Sequence, residues 1–405
     1  MQQLILHIGR HKTGTTALQY SFVQNAGALT DAGVHYPEAG RDWVAHHDIA
    51  NRIADPDLRP AQDELVSGFL EEIRDCGKPT VLVSSEGFQR CDPKIVKKVF
   101  QGFKISVVVY LREQVSYLQS SYLQAIHAEN YHGSIEEYER DVFGAHYPHF
   151  LAPWLQKMGR KQVIARIFSR EFMTSGDVVT DFFHSVLGET LGIRVDNKPV
   201  ELGHITSNSS LKGKAIAFKK RLNAVLENDH HYFAELYKAL GVYSGKIDES
   251  VNLISSELTR ILEAKYLKSN INILNTLSLP TTLLDFSDPG EHQVIEWMAP
   301  GAFYDFLQML IGMDEACAVL LDDCYRVALK RDREAWRLEF CPNVRVDSLD
   351  LVRIERDGDI KLPSELGEKT AEGFIVSESH FNPVIDRVLL QFADGQTVNL
   401  VHTVG

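Results

Sequence analysis

Between Leu4 and Arg112 the chain carries lysine, arginine, threonine and glutamate at spacings suited to gripping a phosphate-like anion. The stretch LILHIGRHKTGTT, Leu4 to Thr16, reads as a short apolar strand, a loop bounded by Gly9 and Gly14, and the first turn of a helix. Such a loop turns backbone N–H groups toward one point, and the helix dipole adds positive potential there. Its outline is that of a P-loop, but Thr15 follows Gly14 where an ATP-binding loop has Lys followed by Ser or Thr. The lysine is Lys12, inside the loop. A second loaded position is Ser84-Ser85-Glu86, after the apolar run TVLVS, and a third is Arg112, after ISVVVYL. Ser120 lies eight residues beyond Arg112, with Ser116 one turn before it on the same helical face. An arginine at a strand end and a hydroxyl two turns into the next helix can hold one phosphate from two sides. For proton transfer the candidates are Glu86 and the pair His46 and His47, whose imidazoles suit neutral pH. His7 and His35 fall within expected strands and read as packed side chains.

The order His-Lys-Thr-Gly-Thr-Thr after a strand ending Ile-Gly resembles the 5′-phosphosulfate loop of sulfotransferases that use 3′-phosphoadenosine 5′-phosphosulfate (PAPS). The Arg112-to-Ser120 spacing is similar to the 3′-phosphate site of the same families. The resemblance covers residues 1 to about 280. It implies a donor site of Arg10, His11, Lys12, Thr13, Gly14, Thr15, Thr16, Arg112 and Ser120, with PAPS as donor and 3′-phosphoadenosine 5′-phosphate (PAP) as product. Lys12 would stabilise charge on the bridging oxygen as the sulfuryl group departs. Glu86 would be the base, as in relatives acting on sugar hydroxyls, with His47 as second candidate. Asn208-Ser209-Ser210-Leu211 resembles a segment that closes over the nucleotide in bacterial members, which would add Ser210; helix capping accounts for the same residues. No metal is implied. The implied acceptor is a hydroxyl, of a saccharide or polysaccharide. Two other readings stay open: a P-loop kinase using ATP and magnesium, with Glu86 as the magnesium-side acid, and a non-catalytic nucleotide- or glycan-binding protein.

The elements needed to position these residues can be read from periodicity. Helical pattern over 15–32 and strand pattern over 34–36 precede a polar segment, 37–57. A helix over 65–73, a strand at 80–84, a helix over 95–100 and the apolar run 105–111 follow. Near-continuous apolar runs suit strands buried on both faces of a parallel sheet. A helix over 113–127, a strand at 162–168 and a helix over 177–187 complete the alternation. The fold expected is therefore a P-loop-type three-layer α/β/α with a mostly parallel central sheet, plus a small C-terminal all-β domain. The domains expected are 1–283, the catalytic unit; 284–335, a helical linker with a helix from Tyr304 to about Lys330; and 336–405, a β-rich unit. In the last, Asp357-Gly358 and Asp394-Gly395 mark hairpins.

The chain has 405 residues and a formal net charge of −13, which argues against a nucleic-acid partner. Its five cysteines form no C-x-x-C pair, so neither a disulfide framework nor a zinc site is expected. The N-terminus lacks the pattern of a signal peptide and no run is long enough to span a bilayer, so a cytoplasmic protein is the expectation.

Overall fold

The computed structural model describes residues 1–60, 62–196, 210–225, 234–247, 251–279, 286, 290, 292–295, 300–318 and the strands between 328 and 400. Along the chain, β1 (Gln3–His7) is followed by α1 (Thr15–Gln24), α2 (Ala26–Asp31), β2 (Val34–His35), α3 (His47–Ala54) and α4 (Glu64–Asp75). Next come β3 (Thr80–Ser84), α5 (Pro93–Val99), β4 (Lys104–Leu111), α6 (Gln114–Ala128), α7 (Ile135–Asp141) and α8 (Tyr147–Met158). β5 (Val163–Ile167) and α9 (Val178–Asp181), which continues as a π-helical stretch over Phe182–Thr190, lead to α10 (Lys214–Val225), α11 (Ala234–Gly245), α12 (Ser256–Leu277) and α13 (Pro300–Met313).

The apolar runs seen in the sequence form one five-stranded sheet, in the order β2-β3-β1-β4-β5. Every pairing in it is parallel. Alternate residues feed two cores, one on each face. Leu4 and Leu6 of β1, with Val107 and Val109 of β4, pack on one side with α3, α4, α5 and α8. Ile5, Val108 and Tyr110 pack on the other with Leu18 and Phe22 of α1 and with Phe182. Burial on both faces explains why these strands lack polar alternation.

Register decides what reaches the carboxyl edge. β1 and β3 end flush, His7 opposite Ser84. β1 also pairs with β4, but only as far as Val108, opposite His7. β4 then runs on through Val109, Tyr110 and Leu111 with β5 alone as partner. At about 3.3 Å per residue this carries Arg112 roughly 13 Å past the end of β1, to the level of the loop that leaves it.

The chain divides into two compact units. The first comprises Met1–Ser121, Ile135–His204 and Ile254–His292, and the second the remainder. The second contains two four-stranded antiparallel sheets, β10-β11-β7-β6 and β13-β12-β8-β9. Their strands are β6 (Ala328–Asp332), β7 (Ala335–Glu339), β8 (Val346–Arg353), β9 (Ile360–Leu362), β10 (Gly367–Lys369), β11 (Gly373–Ser377), β12 (Asp386–Phe392) and β13 (Thr397–Leu400). The strands flanking each Asp-Gly pair are antiparallel partners, β8 with β9 and β12 with β13, while the pairs themselves lie outside the described residues. The helix expected from Tyr304 to Lys330 differs: α13 begins at Pro300 and stops at Met313, and Ala328–Asp332 pairs with β7 instead. Cross-strand pairing outweighed a local helical pattern there. Among the described residues no helix is long and apolar enough to cross a membrane.

Candidate active site

The loop after β1 is curled by left-handed backbone at Gly9 (φ 51°), Lys12 (φ 63°) and Gly14 (φ 73°). Glycine is required at Gly9 by contact as well: a Cβ there would lie 2.9 Å from Thr15 Cγ2 and 3.0 Å from Glu86 Cγ. At Gly14 it would lie 2.8 Å from Val178 Cγ1. Gly14 is also the N-cap of α1 and offers no side-chain cap, so the first-turn N–H groups are left for an outside acceptor. Lys12 is not a residue that adopts left-handed backbone freely. Its strain, about 1–2 kcal/mol, is held in place by the loop. Thr13 is buried and its hydroxyl donates to the Arg10 carbonyl at 2.7 Å, closing the turn from inside.

Glu86 stands just beyond β3 and is clamped by α1. The Thr15 hydroxyl donates to its Oε1, and Gln19 Nε2 donates to Oε2 at 2.9 Å. Burial acts to raise the carboxyl pKa, but the hydrogen bonds from Thr15 and Gln19, aided by the charge of His47, hold it below the ordinary carboxylate value. Glu86 is therefore ionised at neutral pH.

The two histidines that are adjacent in sequence have different surroundings. His46 is fully buried between the rings of Tyr36 and Phe69. Its Nδ1 accepts from Ser84 N–H at 3.2 Å, and its Nε2 faces the Pro37 carbonyl at 3.1 Å. Burial pushes its pKa down to about 3, so it stays neutral. His47 opens α3, is half-buried, and holds Ser85 Oγ with Nδ1 at 2.8 Å. Ser85 Oγ in turn accepts from Gly87 N–H at 3.0 Å. His7 lies at the end of β1, its Nδ1 2.8 Å from Ser84 Oγ; burial lowers its pKa to about 4, against the raising charge of Glu86. His35 pairs with Glu72 at 2.9 Å.

Arg112 joins the third segment to the first. Its Nη1 donates to the Lys12 carbonyl at 2.8 Å and its Nε to Ser116 Oγ at 2.9 Å. Phe168 lies under the guanidinium, 5.6 Å from carbon to ring centroid. Burial lowers its pKa, opposed by Glu113, and it remains a cation at neutral pH. Ser120 is half-buried on the next turn of α6. Arg10 faces elsewhere: its guanidinium donates to the Gly144 carbonyl at 2.8 Å and to Gln89 Oε1 at 3.2 Å, among the rings of Tyr117, Tyr147 and Phe150. His11 is exposed and Thr16 half-buried in the first turn of α1. Ser210 is exposed and belongs to the second unit, and Asn208 and Ser209 lie outside the described residues.

Three supports could not have been assigned from sequence. Gln19 reaches Glu86. Tyr147, buried at the start of α8, accepts from Arg112 N–H at 3.0 Å and donates to the Arg112 carbonyl, fixing that backbone on both sides. Asp181 receives Arg166 through both guanidinium branches, the Tyr110 hydroxyl at 2.8 Å and Thr174 N–H at 2.9 Å. That buried knot anchors the segment after β5, whose Phe168 and Val178 bear on Gly14. The one sequence signal was a charged residue, Arg166, inside an otherwise apolar strand.

Fold and site together define an α/β protein with a five-stranded parallel sheet whose carboxyl edge carries a tightly curled glycine-bounded loop, an arginine and a clamped glutamate. No family model matches the chain. An uncharacterized protein of Archaeoglobus fulgidus is 30% identical over 149 residues, 36% of this chain and 39% of that protein, so the match spans well under half of its relative. Among solved structures, a sulfotransferase from Alicyclobacillus acidocaldarius has a TM-score of 0.36 at 12% identity, covering 69% of this chain and 97% of that one. A mouse sulfotransferase in complex with PAP has a TM-score of 0.35 at 16% identity, covering 68% and 88%.

Proposed function

We propose that the protein is a PAPS-dependent sulfotransferase that moves a sulfuryl group to a hydroxyl of a saccharide acceptor. The observation that carries this reading is the contact of Arg112 with the Lys12 carbonyl, which brings the two expected anion-gripping segments to one place on the carboxyl edge of the sheet. Open α/β sheets bind ligands at such an edge, beside the strand where the order reverses. The residues present fit a nucleotide with two phosphate ends. The Gly9–Gly14 curl is a cradle that a single Cβ would obstruct, and its helix N-terminus has no side-chain cap. Arg112 with Ser116 and Ser120 supplies a cation and hydroxyls for the second end.

When bound, PAPS supplies the sulfuryl group and a stable bisphosphate leaving group. Thr16 and the first-turn N–H groups of α1, that of Thr15 included, would hold the 5′ end, and Lys12 would neutralise charge that develops there. The acceptor proton goes to His47. Glu86 has both carboxylate oxygens engaged by α1 and a depressed pKa, which makes it a weak base. Ser85 Oγ instead orients the His47 ring through Nδ1. A magnesium-dependent kinase is favoured by one contact, the Thr15 hydroxyl on the strand-end acid Glu86. It lacks the lysine between Gly14 and Thr15.

The test is calorimetric titration with PAP and with ATP, each with and without magnesium, followed by transfer of labelled sulfate from PAPS to a panel of saccharides. Metal-independent PAP binding with labelled product supports the proposal. A response to ATP alone, requiring magnesium, overturns it.

A further inference from the structure

At the opposite end of the sheet is a second concavity. Residues 93–104 and 155–163 together contain seven Lys and Arg and no Asp or Glu, in a chain whose formal net charge is −13. The fold brings these two segments together, because α5 packs against α8 and β4 starts beside them. α5 buries Pro93, Val96 and Val99, which leaves Lys94, Lys97 and Lys98 on its outer face. Lys157 comes from the last turn of α8, and its carbonyl accepts from Lys97 Nζ at 3.3 Å.

These four lysines line a cavity of about 620 Å³, with Phe103 and Met158 supplying an apolar wall. That volume suits a small molecule rather than an ion. No carboxylate lines it. The acid nearest in sequence, Asp92, is used as the cap of α5, accepting from Lys94 N–H at 2.8 Å. Among the described residues no ion pair involves any of the four lysines.

Helix dipoles account for one part of this pattern, since Lys97, Lys98 and Lys157 occupy last turns. They do not account for two such turns meeting around one hollow without a counter-charge, an arrangement that costs repulsion unless an anion relieves it. The cavity is also separate from the proposed donor site. Ile105, in its wall, is at the amino end of β4, whereas Arg112 follows the carboxyl end, roughly 20–25 Å away by strand rise.

We propose that this cavity binds a small multivalent anion, bearing phosphoryl or sulfuryl groups on a flat apolar body that lies against Phe103 and Met158. A long polyanion fits less well. Away from these two segments it would meet a chain that accounts for the whole of the negative net charge.

The experiment is fluorescence and calorimetric titration of the full chain with pyranine, a flat aromatic trisulfonate. Inorganic tripolyphosphate serves as a charge-only competitor and a heparin-type oligosaccharide as the polymer. The expected result is saturable one-to-one pyranine binding that weakens with salt and falls about tenfold or more in the Lys97→Glu, Lys98→Glu double variant. Tripolyphosphate should compete more weakly, and Arg112→Ala should bind pyranine as the parent does. Lys157→Gln, a milder change read in parallel with thermal unfolding, should weaken binding in a folded protein. Binding undiminished in these lysine variants, binding lost in Arg112→Ala, absence of saturable binding, or tight binding of the oligosaccharide alone would each overturn the proposal.

Discussion

Arg112 Nη1 donates to the backbone carbonyl of Lys12 at 2.8 Å, across 100 residues of sequence. The bond exists because β4 outruns β1, so that an arginine following one strand stands level with the loop that follows its neighbour. It ties the curvature of the Gly9–Gly14 loop to the position of the guanidinium. The same fork holds Ser116 through Nε.

Substitution at Arg112 tests that double duty. Arg112→Ala should lower PAP affinity about 10- to 100-fold by calorimetry, and Arg112→Lys should recover little of it, because an ammonium cannot span both partners in a fixed plane. A lysine variant binding like the parent would show that charge alone matters at this position.

Gly9→Ala introduces a Cβ 2.9 Å from Thr15 Cγ2 and 3.0 Å from Glu86 Cγ, at a backbone φ of 51°. The expected outcome is a loss of about 1–3 kcal/mol in denaturant unfolding together with weakened PAP binding. Gly77→Ala, also at positive φ (67°) but with open space around it, should carry only the backbone cost and leave PAP binding unchanged.

Tyr147 supports Arg112 without being part of the proposed donor site. Tyr147→Phe removes one acceptor and one donor from the buried Arg112 peptide, which should cost about 1–3 kcal/mol of stability. PAP affinity should fall less than in Arg112→Ala, with the arginine still present but less well held.

Buried histidines set an acid limit on stability. Desolvation depresses His46 to about 3 and His7 to about 4, from an ordinary value of 6.5. Unfolding between those values therefore takes up protons, and the contribution of each histidine is whole above about pH 6.5 and lost progressively as pH falls toward its folded pKa. The hydrogen-bonded Glu86 acts in the same direction, losing its contribution as pH drops below the ordinary carboxylate range. Thermal midpoints should fall from pH 7 to pH 5, and His46→Gln should flatten that slope while lowering the midpoint at pH 7. An unchanged slope would mean that His46 titrates normally in the folded chain.

His47 and Glu86 are separated by transfer kinetics. His47→Ala should reduce sulfate transfer by about 100-fold or more with PAP affinity nearly intact. Glu86→Gln, which keeps a partner for Thr15 and Gln19, should reduce transfer less. The reverse order would make Glu86 the base.

The sequence by itself determined the elements whose signals are local. Apolar runs too continuous for a surface strand announced the buried parallel sheet, and Gly9 and Gly14 around Lys12 announced a tightly curled loop, because left-handed backbone and close approach leave a residue-type signature. Ser116 and Ser120 could be placed on one face of α6 from spacing alone. Only the tertiary structure decided how these segments meet. The overrun of β4 past β1, the clamp of Gln19 on Glu86 and the hold of Tyr147 on Arg112 depend on strand register and helix docking between residues dozens of positions apart. The same is true of His46 and His47, identical in type and adjacent in the chain. Packing between Tyr36 and Phe69 buries the first as a neutral ring, while the start of α3 sets the second beside Ser85, because neighbouring residues at a helix start point in different directions.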